Sequence, residues 1–212
     1  FTRQELRMIS ELCQDYDAFA ITDEIYEHIL YDGREHISIA SLDGMEGRTV
    51  TISGFSKTYS ATGWRVGYVV AEKRLSSAIR KVHDFLTVCA PTPLQEACIE
   101  ALRLPGSYYE SLREEYDESR GLLLRALEDA GFQCFKPEGA YYIWTDIKRT
   151  GFKDDRKLAE HLVKRVGVGS VPGSSFYHRV SQGRMKLRFS FSKKPRTIRR
   201  ALERLRRFRE SG

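Results

Sequence analysis

Two β-branched runs constrain this chain most: Thr49-Val50-Thr51-Ile52 and Val66-Gly67-Tyr68-Val69-Val70, joined by Ser53-Gly54-Phe55-Ser56-Lys57-Thr58-Tyr59-Ser60-Ala61-Thr62-Gly63-Trp64-Arg65. Short apolar runs without strict alternation read as strands buried on both faces. Upstream, Thr2-Arg3-Gln4-Glu5 has the form of a capping box, and Leu6, Ile9, Cys13 and Tyr16 follow on one helical face. Ala18-Phe19-Ala20-Ile21 then reads as a further buried strand that ends at Asp23. A helix–strand–loop–strand order of this kind predicts an α/β fold with a largely parallel sheet. Ligands of such sheets bind beyond the carboxyl ends of the strands, and Asp23 and Lys57 both fall just past strand ends.

The joining loop has its own chemistry. Its small residues permit close approach of a ligand to the backbone, and its hydroxyls together with Arg65 suit a phosphate. An enclosed lysine can lose its proton and attack a carbonyl. A lysine, hydroxyls and an arginine on one loop therefore point to a phosphorylated aldehyde. Taken singly, Lys57 and Arg65 read as surface cations, Asp23 as a turn or cap aspartate and Tyr26 as an amphipathic surface tyrosine.

Further along, Asp32-Gly33 and Asp43-Gly44 mark turns. A helix carrying Leu75, Ile79, Val82 and Leu86 on one side follows the second run. Thr92-Pro93-Leu94-Gln95 predicts a capped helix start with proline at the first helical position. The longest helical pattern runs from about Tyr108 to Ala130, with Gly131 as its left-handed cap. Beyond it, short strands near 133–135, 141–145, 168–171 and 185–191 alternate with a helix near 155–166. The domain division expected is 1–105 as part of a large domain, 106–131 as a linking helix and 132–212 as a small domain. A last helix starts at Pro195 with Ile198, Leu202, Leu205 and Phe208 on one face.

Composition sets the outer limits. Of 212 residues, 41% are hydrophobic and 30% charged, as in a water-soluble globular chain, and no apolar run is long enough to span a membrane. The net charge of +6 owes much to the arginines between 196 and 209. No aromatic residues interleave with them, so an amphipathic packing helix is expected there and no nucleic-acid partner. Four dispersed cysteines fit reduced thiols in a cytoplasmic setting, and no histidine or cysteine pair has metal-ligand spacing. The opening Phe1-Thr2-Arg3 enters a helix at once and reads as part of a longer protein.

Asp23-Glu24-Ile25-Tyr26, Ser53-Gly54-Phe55-Ser56-Lys57-Thr58-Tyr59 and Thr62-Gly63-Trp64-Arg65-Val66-Gly67-Tyr68 together resemble the signature of class I/II aminotransferases, the fold-type I pyridoxal phosphate (PLP) enzymes. Glu138-Gly139-Ala140-Tyr141-Tyr142, Val171-Pro172-Gly173-Ser174-Ser175-Phe176 and Met185-Lys186-Leu187-Arg188-Phe189-Ser190-Phe191 resemble motifs of that family's small domain. The resemblance implies part of the mixed, mostly parallel large-domain sheet, followed by the smaller α/β C-terminal domain.

It implies roles as well. Lys57 holds PLP as a Schiff base and carries the proton. Asp23 pairs with the pyridine nitrogen and Tyr26 with the phenolate oxygen. Ser56 and Arg65 bind the phosphate, and Arg188 binds the substrate α-carboxylate. An amino acid and a 2-oxo acid are the implied substrates, in a homodimer with neither nucleic-acid nor membrane partner. A PLP-dependent β-lyase, or the aminotransferase-like effector domain of a transcription regulator, fits the same residues. The family's phosphate-binding turn, ring-stacking aromatic and phenolate-side asparagine precede the part matched here, so the segment by itself is expected to be unstable or inactive.

Overall fold

A computed structural model describes residues 1–210, the side chains of Arg209 and Glu210 excepted. The chain forms two compact units, Phe1–Glu110 and Ser111–Gly212.

The first unit opens with α1 (Arg3–Asp15), whose capping box is complete. The Glu5 amide donates to Thr2 Oγ1 at 3.2 Å, and the Thr2 amide donates to Glu5 Oε2 at 2.6 Å. These bonds satisfy donors that the first helical turn leaves open. The buried face of α1 places Leu6 and Cys13 against Ala20, Ile39 and Met45. A three-stranded sheet follows, β1 (Ala20–Asp23), β2 (Thr49–Gly54) and β3 (Gly67–Ala71), in that spatial order. β1 and β2 run parallel and β2 and β3 antiparallel, so the sheet is mixed.

Burial departs from the reading of strands covered on both faces. Ile21 is 72% exposed and Val70 59% exposed, while Ala20 and Val50 are buried. Helix α1 and the 39–45 segment cover Ala20, while Ile21 lies open beside the buried Val50, so the apolar runs are covered in patches and not on both faces throughout.

Helix α2 (Lys73–Leu86) buries no residue among those described. Its expected apolar side is open at Val82 and Leu86. Helix α3 (Thr92–Leu102) begins one residue earlier than the sequence pattern indicates. The Pro91 carbonyl accepts from the amides of Leu94 and Gln95, so Pro91 is the cap, and Thr92 and Pro93 are already helical. Its buried Cys98 joins Phe55, Ala61 and Val66 in a second apolar cluster directly behind the lysine loop.

Helix α4 (Gly106–Asp129) ends where Gly131 takes φ +89°. The Phe132 amide reaches the Leu127 carbonyl and the Gly131 amide reaches that of Glu128, the two bonds of a Schellman ending.

In the second unit β4 (Gln133–Phe135), β5 (Tyr142–Asp146), β6 (Val171–Pro172) and β7 (Lys186–Ser190) form an antiparallel sheet in the order β4-β5-β7-β6. β6 is shorter than the 168–171 pattern suggests. The Val168 amide is bound to the Leu162 carbonyl, ending the π-helical turn Leu162–Val166 that extends α5 (Asp155–His161), and is lost to the sheet ladder. A short α6 (Val180–Gly183) precedes β7, and α7 (Pro195–Glu210) buries Ile198, Leu205 and Phe208. Among the described residues no helix is long and apolar enough to cross a membrane.

Candidate functional site

The parallel pairing of β1 with β2 places their carboxyl ends side by side. Asp23, the last residue of β1, lies opposite Ile52, and the ladder continues as the Glu24 amide donates to the Ile52 carbonyl at 2.8 Å. Lys57 follows β2 by three residues and therefore emerges at the same end. β3 runs back antiparallel with Gly67 opposite Gly54, so Arg65, two residues before β3, also belongs to that end. Carboxylate, amine and guanidinium thus gather at one end of a three-stranded sheet, with Tyr26 on the turn after Asp23 and Ser56 beside Lys57.

Glycines make this junction possible. A Cβ on Gly54 would stand 2.8 Å from the Gly67 Cα, and one on Gly67 would stand 3.0 Å from the Ser53 carbonyl oxygen. The strands meet so closely here that neither position admits a side chain without movement. Arg65 itself has φ +56°, and Ser60, on the same loop, has φ +53°. Two non-glycine residues in the left-handed region on one short loop are an uncommon strain, of the kind that surrounding contacts must hold in place.

Local bonds hold it. Arg65 Nη1 donates to the Thr62 carbonyl at 2.9 Å, and Thr62 Oγ1 donates to the Ser56 carbonyl at 2.8 Å. Ser56 and Arg65 are therefore tied through Thr62, and only one of the five guanidinium donors is spent on the tie. Asp23 is exposed, and its Oδ1 accepts from the Ile25 amide at 3.3 Å, which orients the carboxylate over its own turn.

Below this layer lie carboxylates that sequence reasoning did not single out. The buried Glu24 accepts from Thr22 Oγ1 and Ser38 Oγ, both at 2.9 Å, and lies 2.7 Å from His36 Nε2. Glu27 Oε1 accepts from Ser53 Oγ at 2.8 Å and from the Tyr68 hydroxyl at 3.2 Å. Burial, opposed by a bond to Ser53 and reinforced by the Glu27 charge, pushes the Tyr68 hydroxyl above its ordinary value. Ser53 thus serves the framework beneath the loop. The Glu24 and Glu27 partners stand 12 to 41 residues away for all but Thr22, so no motif could have announced them.

Arg188 belongs to the second unit. On β7 it lies opposite Trp144 of β5 and Val171 of β6. Its neighbours Leu187 and Phe189 are buried, and Arg188 points to the other, half-open face. Its guanidinium carbon stands 4.1 Å from the Tyr142 ring centroid and 4.5 Å from that of Phe176. Two ring faces hold the planar cation in one orientation, and the residue forms no ion pair among the described residues. A fixed guanidinium with its fork free is suited to a carboxylate from outside the chain.

Residues 1–205 match the family model described as aminotransferase class I and II. Kynurenine–oxoglutarate transaminase 1 of Homo sapiens is 36% identical over 99% of this chain and 54% of its own length. Aspartate aminotransferase of Pyrococcus abyssi is 40% identical over 82% of this chain and 45% of its own. An aromatic aminotransferase structure from Pyrococcus horikoshii superposes with a TM-score of 0.91 at 37% identity, over 100% of this chain and 56% of that one. The chain spans about half the length of the curated relatives it matches.

Proposed function

Since the chain belongs to the class I and II aminotransferases, a family dependent on pyridoxal phosphate, we propose that it carries the lysine-bearing part of a site that moves an amino group between an amino acid and a 2-oxo acid. The observation that supports this most directly is the parallel β1–β2 pairing, which sets Asp23 and Lys57 at one sheet end with Arg65 returning to it. The donor set also suits the cofactor. A carboxylate, an amine and a hydroxyl–guanidinium pair match a pyridine nitrogen, an aldehyde and a phosphate, and the Gly54–Gly67 contact keeps the floor free of side chains.

When bound, PLP supplies an aldehyde carbon and a ring that accepts the electron pair left at the substrate Cα. The chain's residues do the rest. The Asp23 carboxylate holds a proton at the ring nitrogen, and the Tyr26 hydroxyl donates toward the phenolate oxygen. Ser56 and Arg65 anchor the phosphate. The Lys57 amine would hold the cofactor at its aldehyde carbon and, when free, would carry a proton between the substrate Cα and that aldehyde carbon, which lies across the amino nitrogen from Cα. Arg188 grips the substrate α-carboxylate. A cytoplasmic homodimer is part of the same proposal.

The test uses the full-length protein. Lys57→Ala is expected to abolish the visible absorbance of lysine-bound PLP and all turnover; unchanged absorbance sinks the assignment. Product analysis separates transfer from elimination, since transfer yields a new amino acid in step with the oxo acid, and elimination yields ammonia without one. Arg188→Ala is expected to remove a charge-assisted pair of about 1.5–3 kcal/mol. That loss should appear as a tens-fold rise in KM for the amino acid in steady-state kinetics. An unchanged KM would remove Arg188 from the substrate site.

A further inference from the structure

At the start of α4 two tyrosines reach back to the catalytic loops. The Tyr108 hydroxyl donates to the Thr58 carbonyl, one residue past Lys57, at 2.8 Å. The hydroxyls of Tyr109 and Tyr59 share a hydrogen bond of 2.7 Å. The Tyr59 and Tyr108 rings stack at 5.8 Å with 7° between their planes. The other side of Tyr109 meets His28, two residues past Tyr26, with ring centroids 4.5 Å apart. One side chain therefore touches both the turn that carries Tyr26 and the loop that carries Lys57.

The lysine loop depends on such ties. Its own backbone bonds are long, 3.3 Å from the Tyr59 amide to the Phe55 carbonyl and 3.5 Å from the Ser60 amide to the Lys57 carbonyl. Bonds of that length are weak, and Ser60 adds the strain of a positive φ. Thr58 is nonetheless 2% exposed, so the loop is held down by contacts from outside its own backbone. Burial first, then the bond to Tyr109, pushes the Tyr59 hydroxyl well above its ordinary value.

We propose that Tyr108 and Tyr109 are positioning residues that set the spacing between the Tyr26 turn and the Lys57 loop. The proposal rests on the site reading above and adds to it two residues that act through other groups, Thr58, Tyr59 and His28. Tyr109 does so through its hydroxyl on one side and its ring on the other, and Tyr108 through the Thr58 carbonyl.

The two halves of the Tyr109 contact can be separated. In the full-length, cofactor-free protein, Tyr109→Phe removes the hydroxyl bond and keeps the ring against His28. Amide hydrogen exchange should then quicken in residues 57–61 and stay unchanged in 25–29. Tyr109→Leu removes both contacts, and exchange should quicken in both segments. In the loaded enzyme Tyr109→Phe and Tyr108→Phe should each lower kcat on the order of 10-fold with KM for the amino acid within a factor of about two, as misplacement of a reacting group predicts. Unchanged exchange in both segments overturns the proposal. So does exchange that rises uniformly along the chain with kcat and KM altered together, which marks a merely structural role. A wild-type protein that binds no PLP, yet shows the segment-specific exchange, would refute the site reading and leave the spacing role standing.

Discussion

At the scale of single residues, geometry decides which positions tolerate change. A Cβ on Gly173 would lie 2.5 Å from the Gly183 carbonyl oxygen and 2.7 Å from the Lys186 Cβ. Both neighbours belong to the packed approach to β7, so neither can yield cheaply. Gly173→Ala is expected to destabilise the second unit by about 1–3 kcal/mol, read as a lower denaturant midpoint at unchanged slope. The thiols differ just as clearly. Cys13 and Cys98 are buried, Cys89 is exposed, and the Cys134 thiol is pushed up to about 12 by burial and then by the Glu128 charge. Thiolate is the reactive form, so an alkylating reagent near pH 8 should modify Cys89 well before Cys134. Mass mapping of the first modified site checks this; early labelling of Cys134 would contradict it.

At the scale of elements, the ends of helices have identifiable causes. Helix α5 is capped by Asp154, whose Oδ1 accepts from the Lys157 amide at 3.0 Å and whose Oδ2 accepts from Arg184 Nε at 3.2 Å. The bond from the Lys157 backbone, followed by the Arg184 charge, holds the Asp154 carboxyl below its ordinary value. A carboxylate with a depressed folded-state pKa stabilises above the unfolded value and loses that contribution as pH falls through the folded one. Asp154→Ala should therefore cost about 1 kcal/mol near neutral pH. The difference from wild type should shrink as the medium is acidified through and below the usual carboxylate range. Unfolding curves for both proteins across pH test this, and a gap independent of pH would assign the cost to something other than the charged cap. Helix α4 ends with the same local clarity, because only Gly131 takes the positive φ its Schellman ending requires.

At the scale of the whole molecule, the first unit leaves large apolar side chains in the open. Ile21 and Val70 on the sheet, and Phe85 and Leu86 on α2, are exposed, Phe85 to 93%. Exposed apolar side chains of this size and number promote association. Residues 1–212 produced alone should form concentration-dependent oligomers and bind a hydrophobic dye. A monodisperse monomer at high concentration, seen by light scattering, would show that the exposed face is tolerated.

Features that rest on bonds within a turn or two could be read directly from the chain. The Thr2–Glu5 capping box, the stop at Gly131 and the Ile198–Leu205–Phe208 stripe of α7 were all legible because their donors, acceptors and apolar faces lie three to seven residues apart. The proposed set Asp23, Tyr26, Ser56, Lys57, Arg65 and Arg188 could be picked out for a related reason: each proposed role admits few side chains, and the motifs keep them in order. Tertiary structure alone decided which strands became neighbours. It also decided that β3 turns back against β2, and that the expected two-sided burial is incomplete, with Ile21 and Val70 left open. Pairing and burial depend on which distant surfaces compete for the same face, and no local period encodes that competition. The shortening of β6 and the capping of α3 by Pro91 come instead from local backbone bonds, Val168 to Leu162 and Leu94 and Gln95 to Pro91. Tyr108 and Tyr109 show the effect of tertiary structure most plainly. In the sequence they are two tyrosines at the start of the longest helical pattern, and only the fold carries them across fifty residues to the carbonyl beside Lys57 and the hydroxyl of Tyr59.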